Sequence, residues 1–301
     1  MFTPLKDGVM SAEELADGLG VKADKLSPLL YALAAAELLT VQEERFANTA
    51  AADQFLVKGK PTYIGGQQGN LSRWWHATME TAESIRTSIP QSPIDFAEDS
   101  PDVLETTLRR LHAGLRQRGQ ELVDRYDISF AQTLADIGGG SGGLAIAVTE
   151  AYPHIQATVV DLPSVTPFTQ RLIQAEGATQ RVKVLATDAV NSTIPASFDV
   201  AVLDRFLQVL SADEARRAIV HIYQALNPGG AIFIRGVILD NSRLSPTEMV
   251  GLGLYFLNSC PEGGAYTEQE HRDRLQTACF VDIERMVLPD AWSFIRARKP
   301  A

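Results

Sequence analysis

The stretch Leu134-Ala-Asp-Ile-Gly-Gly-Gly-Ser-Gly-Gly143, followed by Val159-Val-Asp-Leu-Pro163, decides how this chain is read. The first begins apolar, turns on glycines and continues into Leu144-Ala-Ile-Ala-Val148, which predicts strand, tight turn and helix. The second is an apolar strand ending on Asp161, 25 residues after Asp136. Glycines let a ligand lie against bare backbone, and an acid at the tip of the next strand can accept hydrogen bonds from ribose hydroxyls. The spacing therefore predicts a site for an adenosine nucleoside.

Glycines alone are a weak signal, because Gly138, Gly140 and Gly143 also fit the dinucleotide pattern G-x-G-x-x-G. Asp136, two residues before the first glycine, extends the run to D-x-G-x-G-x-G through Gly142. That form is the one expected for S-adenosylmethionine.

The bulk numbers narrow the class. A chain of 301 residues with 45% hydrophobic content suggests one large or two ordinary domains with ample core. The net charge of −10 is unsuited to polyanions, so no nucleic acid partner is expected. No apolar run nears the ~18 residues of a membrane span, and no signal peptide is evident, so a cytoplasmic protein is expected. Cys260 and Cys279 make neither a disulfide framework nor a zinc motif, and the five histidines lack metal-ligand spacing.

Residues 1 to about 60 read as helix, helix, hairpin, a winged-helix pattern. Ser11-Ala-Glu-Glu14 is a capping box, and Leu26, Leu29, Leu30 and Leu33 share a helical face. Residues 1–90 carry 8 Lys/Arg against 11 Asp/Glu, so the module lacks a DNA-binding footprint and is expected to be a scaffold or dimer contact. A long amphipathic helix is predicted from near Pro101. From Gln132 strand and helix alternate, with strands at 132–137, 156–161, 182–187, 198–204 and 231–239 and a final pair at 281–288 and 293–298. Helices at 211–226, 245–258 and 267–278 each open on a capping box, at Ser211, Ser245 and Thr267.

Asp136-Ile-Gly-Gly-Gly-Ser-Gly142, Asp161-Leu-Pro163, Thr187-Asp188, Asn227-Pro-Gly-Gly230 and Gly263-Gly264 before Thr267-Glu-Gln-Glu270 carry a family resemblance over nearly the whole chain. The closing strand pair ending in Arg296-Ala-Arg-Lys299 adds to it. The chain resembles the class I S-adenosylmethionine-dependent O-methyltransferases of the hydroxyindole and plant-phenolic type, with their bacterial natural-product relatives. The resemblance implies an α/β fold: a Rossmann-like seven-stranded sheet with a reversed last strand, after a winged-helix-like, all-helical N-terminal domain. Domain ranges of 1–125 (dimerisation and lid) and 126–301 (cofactor binding) follow.

Residue by residue, the resemblance implies that Gly138, Gly140 and Gly142 line the methionine and ribose end of the cofactor, beside Asp136. Asp161 would hold the ribose and Leu162 face the adenine. Asp188 would accept from the adenine amino group with Ala189 packed nearby, and Asp204 and Arg205 would supply backbone contacts. Trp74, Trp75, Met249, Leu252, Phe256 and Asn258 would form a slot for a small aromatic acceptor. A homodimer is expected; the winged helix starts almost at Met1-Phe-Thr-Pro-Leu5, where relatives usually carry a few dozen further residues, so either the chain is trimmed there or the dimer contact is reduced.

The chemistry departs from the family at its base. Plant members use a histidine after the fourth strand, flanked by two glutamates; here Gln208 falls on the histidine position, and Gly236 and Ala265 on the glutamates. Val209 is the alternative alignment. None of these accepts a proton, so Gln208 is expected to orient the acceptor, and His76 and His112 are alternative bases. The reading is methyl transfer to a hydroxyl of an aromatic or polyketide-like compound by in-line displacement, where positioning supplies most of the acceleration. Its alternatives are non-methyl-transfer chemistry assisted by a sulfonium charge, and a non-catalytic cofactor-binding partner protein.

Overall fold

The computed structural model describes residues 1–60, 62–63, 68–93 and 100–301, without the side chains of 68–71 and 73–74. The chain falls into two compact units, Met1–Ser72 and Arg73–Ala301. Within the second unit, the helix Thr81–Thr87 packs on the helix Thr247–Ser259, and Pro101–Arg125 on Gly143–Ala151.

The first unit contains β1 (Met10–Ser11), α1 (Ala12–Leu19), α2 (Ala23–Ala35), β2 (Leu39–Gln42), β3 (Arg45–Asn48) and α3 (Ala50–Leu56). The N-terminal region is therefore not all helical: β1, β3 and β2 form a small antiparallel sheet, the expected hairpin plus one strand. The Ser11–Glu14 capping box forms, satisfying donors that a helix start leaves free. Leu15, Leu26, Leu30, Leu39 and Phe46 make the core, while Leu29 points outward, so the apolar face of α2 is narrower than its sequence suggests.

Helix α4 (Gln68–Met79) follows. In the second unit come α5 (Thr81–Thr87), α6 (Pro101–Arg125), β4 (Thr133–Ile137), α7 (Gly143–Ala151), β5 (Gln156–Asp161), α8 (Thr166–Ala175), β6 (Val182–Ala186) and β7 (Phe198–Asp204). Then follow α9 (Ala212–Ala225), β8 (Leu226–Gly236), β9 (Ile238–Leu239), α10 (Thr247–Ser259), β10 (Tyr266–Thr267), α11 (Glu268–Thr277), β11 (Val281–Val287) and β12 (Ser293–Arg298).

The sheet runs β11-β12-β8-β7-β4-β5-β6 and is parallel from β8 to β6; β12 is antiparallel to both of its neighbours. Strands buried on both faces need continuous apolar runs, and β7 supplies one. Val200 and Val202 face α6 and α7, while Ala201 and Leu203 face α9 and α11. The order reverses between β4 and β7, opening a crevice at the strand ends where ligands bind in such sheets.

Two of the three capping boxes in this unit form, at Ser211–Glu214 and Thr267–Glu270. The third, at Ser245, does not: α10 starts at Thr247 and the Ser245 hydroxyl instead donates to Asp240, which also accepts from Arg285 at 2.7 Å. The competing partner wins because Asp240 is an ionised acceptor already anchored by the guanidinium.

Helix α6 approaches α7 closely at Gly119, where a Cβ would lie 2.6 Å from the Leu144 carbonyl oxygen and 2.8 Å from the Ala147 Cβ. Replacing a mid-helix glycine with alanine gains roughly 0.5–1 kcal/mol of helix stability, but overpacking costs about 1–3 kcal/mol. Gly119→Ala should therefore be net destabilising by about 1–2 kcal/mol, measured as a lowered urea midpoint; an unchanged or higher midpoint would contradict this contact.

Candidate active site

At the C-terminal end of β4 the backbone turns through Gly138, Gly140 and Gly142 with φ of 64°, 55° and 75°. All three lie in the left-handed region that glycine enters without steric cost. Gly138 donates to the Val160 carbonyl at 2.8 Å, which ties the turn to β5. Gly140 is held from both sides: its N–H donates to Asp161 at 2.8 Å, and its carbonyl accepts from the Thr169 hydroxyl at 2.5 Å. The other Asp161 oxygen accepts the Leu162 N–H at 2.7 Å. Gly139 is required for a different reason: a Cβ there would lie 2.5 Å from the carboxylate carbon of Asp136.

The acids around this turn are strongly perturbed. Asp136 is buried, and neither carboxylate oxygen has a hydrogen-bond partner among the described residues. Burial, then the nearby Asp204 and Asp161 carboxylates, push its pKa up to about 8. Burial also raises Asp161 to about 6, against the pull of its two backbone donors. Asp188 behaves oppositely. Burial raises it, but the Asn191 amide and the N–H groups of Val190 and Asn191 outweigh that and hold it below the usual carboxylate range. It closes a local turn, and the buried Ala189 beside it accepts from His221 through its carbonyl.

Asp204 ends β7 opposite Arg235 on β8. It pairs with Arg118 of α6 at 3.0 Å, Arg235 at 3.4 Å and Arg205 at 3.9 Å, while Arg235 also pairs with Glu121 at 2.8 Å. Arg205 has φ of 55°, with its N–H on the Arg235 carbonyl at 2.6 Å. That backbone costs roughly 1–2 kcal/mol for a residue with a side chain, and such strain is typically retained at functional sites. The sequence reading missed Arg118, Glu121, Arg235 and Trp292, whose ring stacks 5.0 Å from the Arg235 guanidinium. A visible signal was Arg235 itself, a cation closing the apolar run Ala231-Ile-Phe-Ile234.

The expected base position is equally clear. Gln208 is buried in a short 3-10 turn, Leu207–Val209, and its Oε1 accepts the Val237 N–H at 3.0 Å. That donor fixes the amide's orientation and leaves Nε2 without a hydrogen bond among the described residues. A Cβ on Gly236 would lie 3.0 Å from Gln208 Oε1, so the two positions face each other. Gly264 donates to the Gln208 carbonyl at 2.9 Å, bringing the loop before Ala265 alongside.

Of the alternative bases, His76 is exposed, and His112 braces the glycine turn with Nδ1 2.9 Å from the Ser141 hydroxyl. Burial holds the His112 imidazole below its usual range, partly offset by Glu176 at 3.7 Å. Met249, Phe256 and the half-buried Leu252 pack with Val237, Leu239, Tyr255 and Trp292. Asn258 is fully buried; its amide donates to Thr81 and to the Leu254 carbonyl, but its Oδ1 has no partner among the described residues. Trp75 is exposed, and the Trp74 side chain lies outside the described residues. Leu162 packs against Leu104, Leu108 and Phe168.

Comparison with known proteins shows the family. Residues 89–281 match the O-methyltransferase domain, and residues 2–58 match the O-methyltransferase dimerisation domain. The chain is 29% identical over 287 residues to a 3-hydroxy-5-methyl-1-naphthoate 3-O-methyltransferase of Streptomyces sahachiroi, covering 92% of this chain and 82% of that one. It is 28% identical over 308 residues to a tetracenomycin polyketide synthesis 8-O-methyl transferase of Streptomyces glaucescens, covering 100% and 90%. Human N-acetylserotonin methyltransferase, solved with S-adenosylmethionine, shares the fold with a TM-score of 0.84 at 23% identity, covering 100% of this chain and 90% of that one.

The acids give a pH signature. Folded Asp136 keeps its proton up to about 8, whereas its ordinary value is 3.8, so the folded state binds more protons over that window. Stability therefore falls as pH rises through it and levels off above. Asp161, raised to about 6, adds the same sign over a narrower range. Asp136→Asn should remove much of this slope, gaining melting temperature over the parent at pH 8 more than at pH 5. A parallel shift at both pH values would contradict it.

Proposed function

This chain belongs to the O-methyltransferase family and is an S-adenosylmethionine-dependent methyltransferase, and from that premise we propose how its residues divide the work. The observation that carries the assignment is the glycine turn at Gly138–Gly142, clamped to Asp161 beside a buried Asp136 whose oxygens have no hydrogen-bond partner among the described residues.

The residues present fit the cofactor. Each Asp161 oxygen accepts one backbone N–H and retains a second lone pair, enough for two ribose hydroxyls. Asp188 has one lone-pair site beyond its three turn contacts, which suits an adenine amino group beside Ala189 and Leu162. Gly138, Gly140 and Gly142, with Asp136 beneath them, would line the methionine and ribose end, and the Asp204–Arg205 backbone would close it. When bound, S-adenosylmethionine supplies a methyl group activated as a sulfonium.

The rest falls to this chain. Met249, Leu252, Phe256 and Trp75 would present apolar surface to a planar aromatic or polyketide-like hydroxyl compound, with Asn258 Oδ1 as a polar anchor. Gln208 offers a donor, not a base, since Oε1 is committed to Val237. A general base typically contributes ~10²–10⁴-fold, and an acceptor already ionised near neutral pH does not need it. Orientation then carries the reaction. Homodimerisation through residues 2–58 belongs to the same proposal, as does a cytoplasmic location.

The test is incubation with methyl-labelled cofactor and a panel of phenols and naphthols of graded acidity. Labelled product and S-adenosylhomocysteine should form with the unchanged protein, best with the most acidic acceptors, and Gln208→His should extend activity to weakly acidic ones. Cofactor binding with no S-adenosylhomocysteine from any acceptor, or activity seen solely in Gln208→His, would overturn the reading.

A further inference from the structure

The ion cluster at the ends of β7 and β8 does not balance. Asp204 is shared by Arg118, Arg235 and Arg205, and Glu121 is shared by Arg235 at 2.8 Å and Arg125 at 3.7 Å. Arg205 holds the weakest claim, a 3.9 Å approach to a carboxylate that Arg118 already engages at 3.0 Å. Its guanidinium makes no hydrogen bond among the described residues, and its side chain stays 30% exposed. Asp136, the next carboxylate along, keeps its proton through neutral pH and supplies no counter-charge. Arg118 and Arg235 in turn repel Arg205. A guanidinium has five donors arranged as a planar fork, so one that has only a long approach to a shared carboxylate, beside two other cations, is a site for a planar oxyanion.

The surroundings identify whose oxyanion it is. The Arg205 guanidinium lies 5.7 Å from the Trp292 ring centroid and within electrostatic reach of Tyr255 on α10. Trp292 and Tyr255 belong to the apolar cluster with Met249 and Phe256, the wall assigned above to the acceptor. Asp161, assigned to the cofactor's ribose, ends β5 with β4 between it and β7, and although the Asp204–Arg205 backbone is assigned to the cofactor's methionine end, the Arg205 side chain turns toward Trp292 and Tyr255.

We propose that Arg205 determines acceptor specificity by binding a carboxylate carried on the aromatic acceptor, with Arg118 and Arg235 sharing Asp204 so that it only partly neutralises Arg205. This inference rests on the reading of the apolar wall as the acceptor site. It makes the substrate class aromatic hydroxy acids rather than neutral phenols, and the reaction supplying them one that leaves a free carboxylate on the ring system.

The experiment titrates a hydroxynaphthoate, and the naphthol lacking its carboxylate, into protein saturated with S-adenosylhomocysteine. The unchanged protein should bind the acid about 10–100-fold more tightly, as a charge-assisted bidentate contact implies. Arg205→Gln should bring that ratio near one, and Arg205→Lys should restore part of it while losing the bidentate share. Equal binding of acid and naphthol by the unchanged protein overturns the proposal whatever the variants do. So does an Arg205→Gln variant that keeps the ratio and instead loses S-adenosylhomocysteine affinity, which assigns the guanidinium to the cofactor's own carboxylate. Turnover of labelled cofactor in the same samples separates the two levels. Acid preference without methyl transfer keeps the anion site and removes the methyltransferase reading, whereas methyl transfer without acid preference does the reverse.

Discussion

The site depends on a glycine backbone where β4 meets β5, with Ser141 the one side chain between Gly138 and Gly142. Three residues with left-handed φ follow Asp136 within six positions, and Asp161 and Thr169 hold the middle one by its N–H and its carbonyl. Adding a Cβ at Gly138 would strike the Phe206 ring at 2.6 Å, and adding one at Gly142 would press on Ile173 at 3.2 Å. The turn is therefore fixed by neighbours from β5, α8 and the segment after β7 at once. A ligand meeting it finds preorganised backbone, and little ordering entropy remains to oppose binding.

The same strand ends gather charge. Asp136, Asp161 and Asp204 lie at the ends of three adjacent parallel strands, and their partners differ. Asp136 has no side-chain partner among the described residues, and the pull of the Ala145 N–H is outweighed by burial, so it holds its proton; Asp161 has two backbone donors and is raised less; Asp204 has arginines around it. Breaking such a buried pair by removing one partner leaves an uncompensated charge, which is strongly destabilising. The cluster is accordingly the floor of the crevice, and its strained member, Arg205, makes no guanidinium hydrogen bond among the described residues.

Much of this was legible in the sequence because it is local. The strand-turn-helix at 134–148, the acid ending β5 and the capping boxes at Ser11, Ser211 and Thr267 are each set by residues within a few positions of one another. Ser245 failed for the reason such readings fail: Asp240, tied to Arg285 from β11, offered its hydroxyl a stronger acceptor. The cluster of Arg118, Glu121, Asp204 and Arg235 spans more than a hundred positions, and no periodicity links α6 to β7 and β8. The Gln208 bond to Val237 was hidden in the same way, since only folding sets the donor of residue 237 against the side chain of residue 208.

The account's central claim is methyl transfer by positioning, with the acceptor's own ionisation replacing a protein base. The direct measurement is the pH dependence of single-turnover methyl transfer for a series of acceptors whose hydroxyl pKa values differ by several units. The account predicts that the midpoint of each profile moves with the acceptor's pKa. A midpoint that stays fixed near the histidine range for every acceptor would show that a group on the protein takes the proton, and would contradict it.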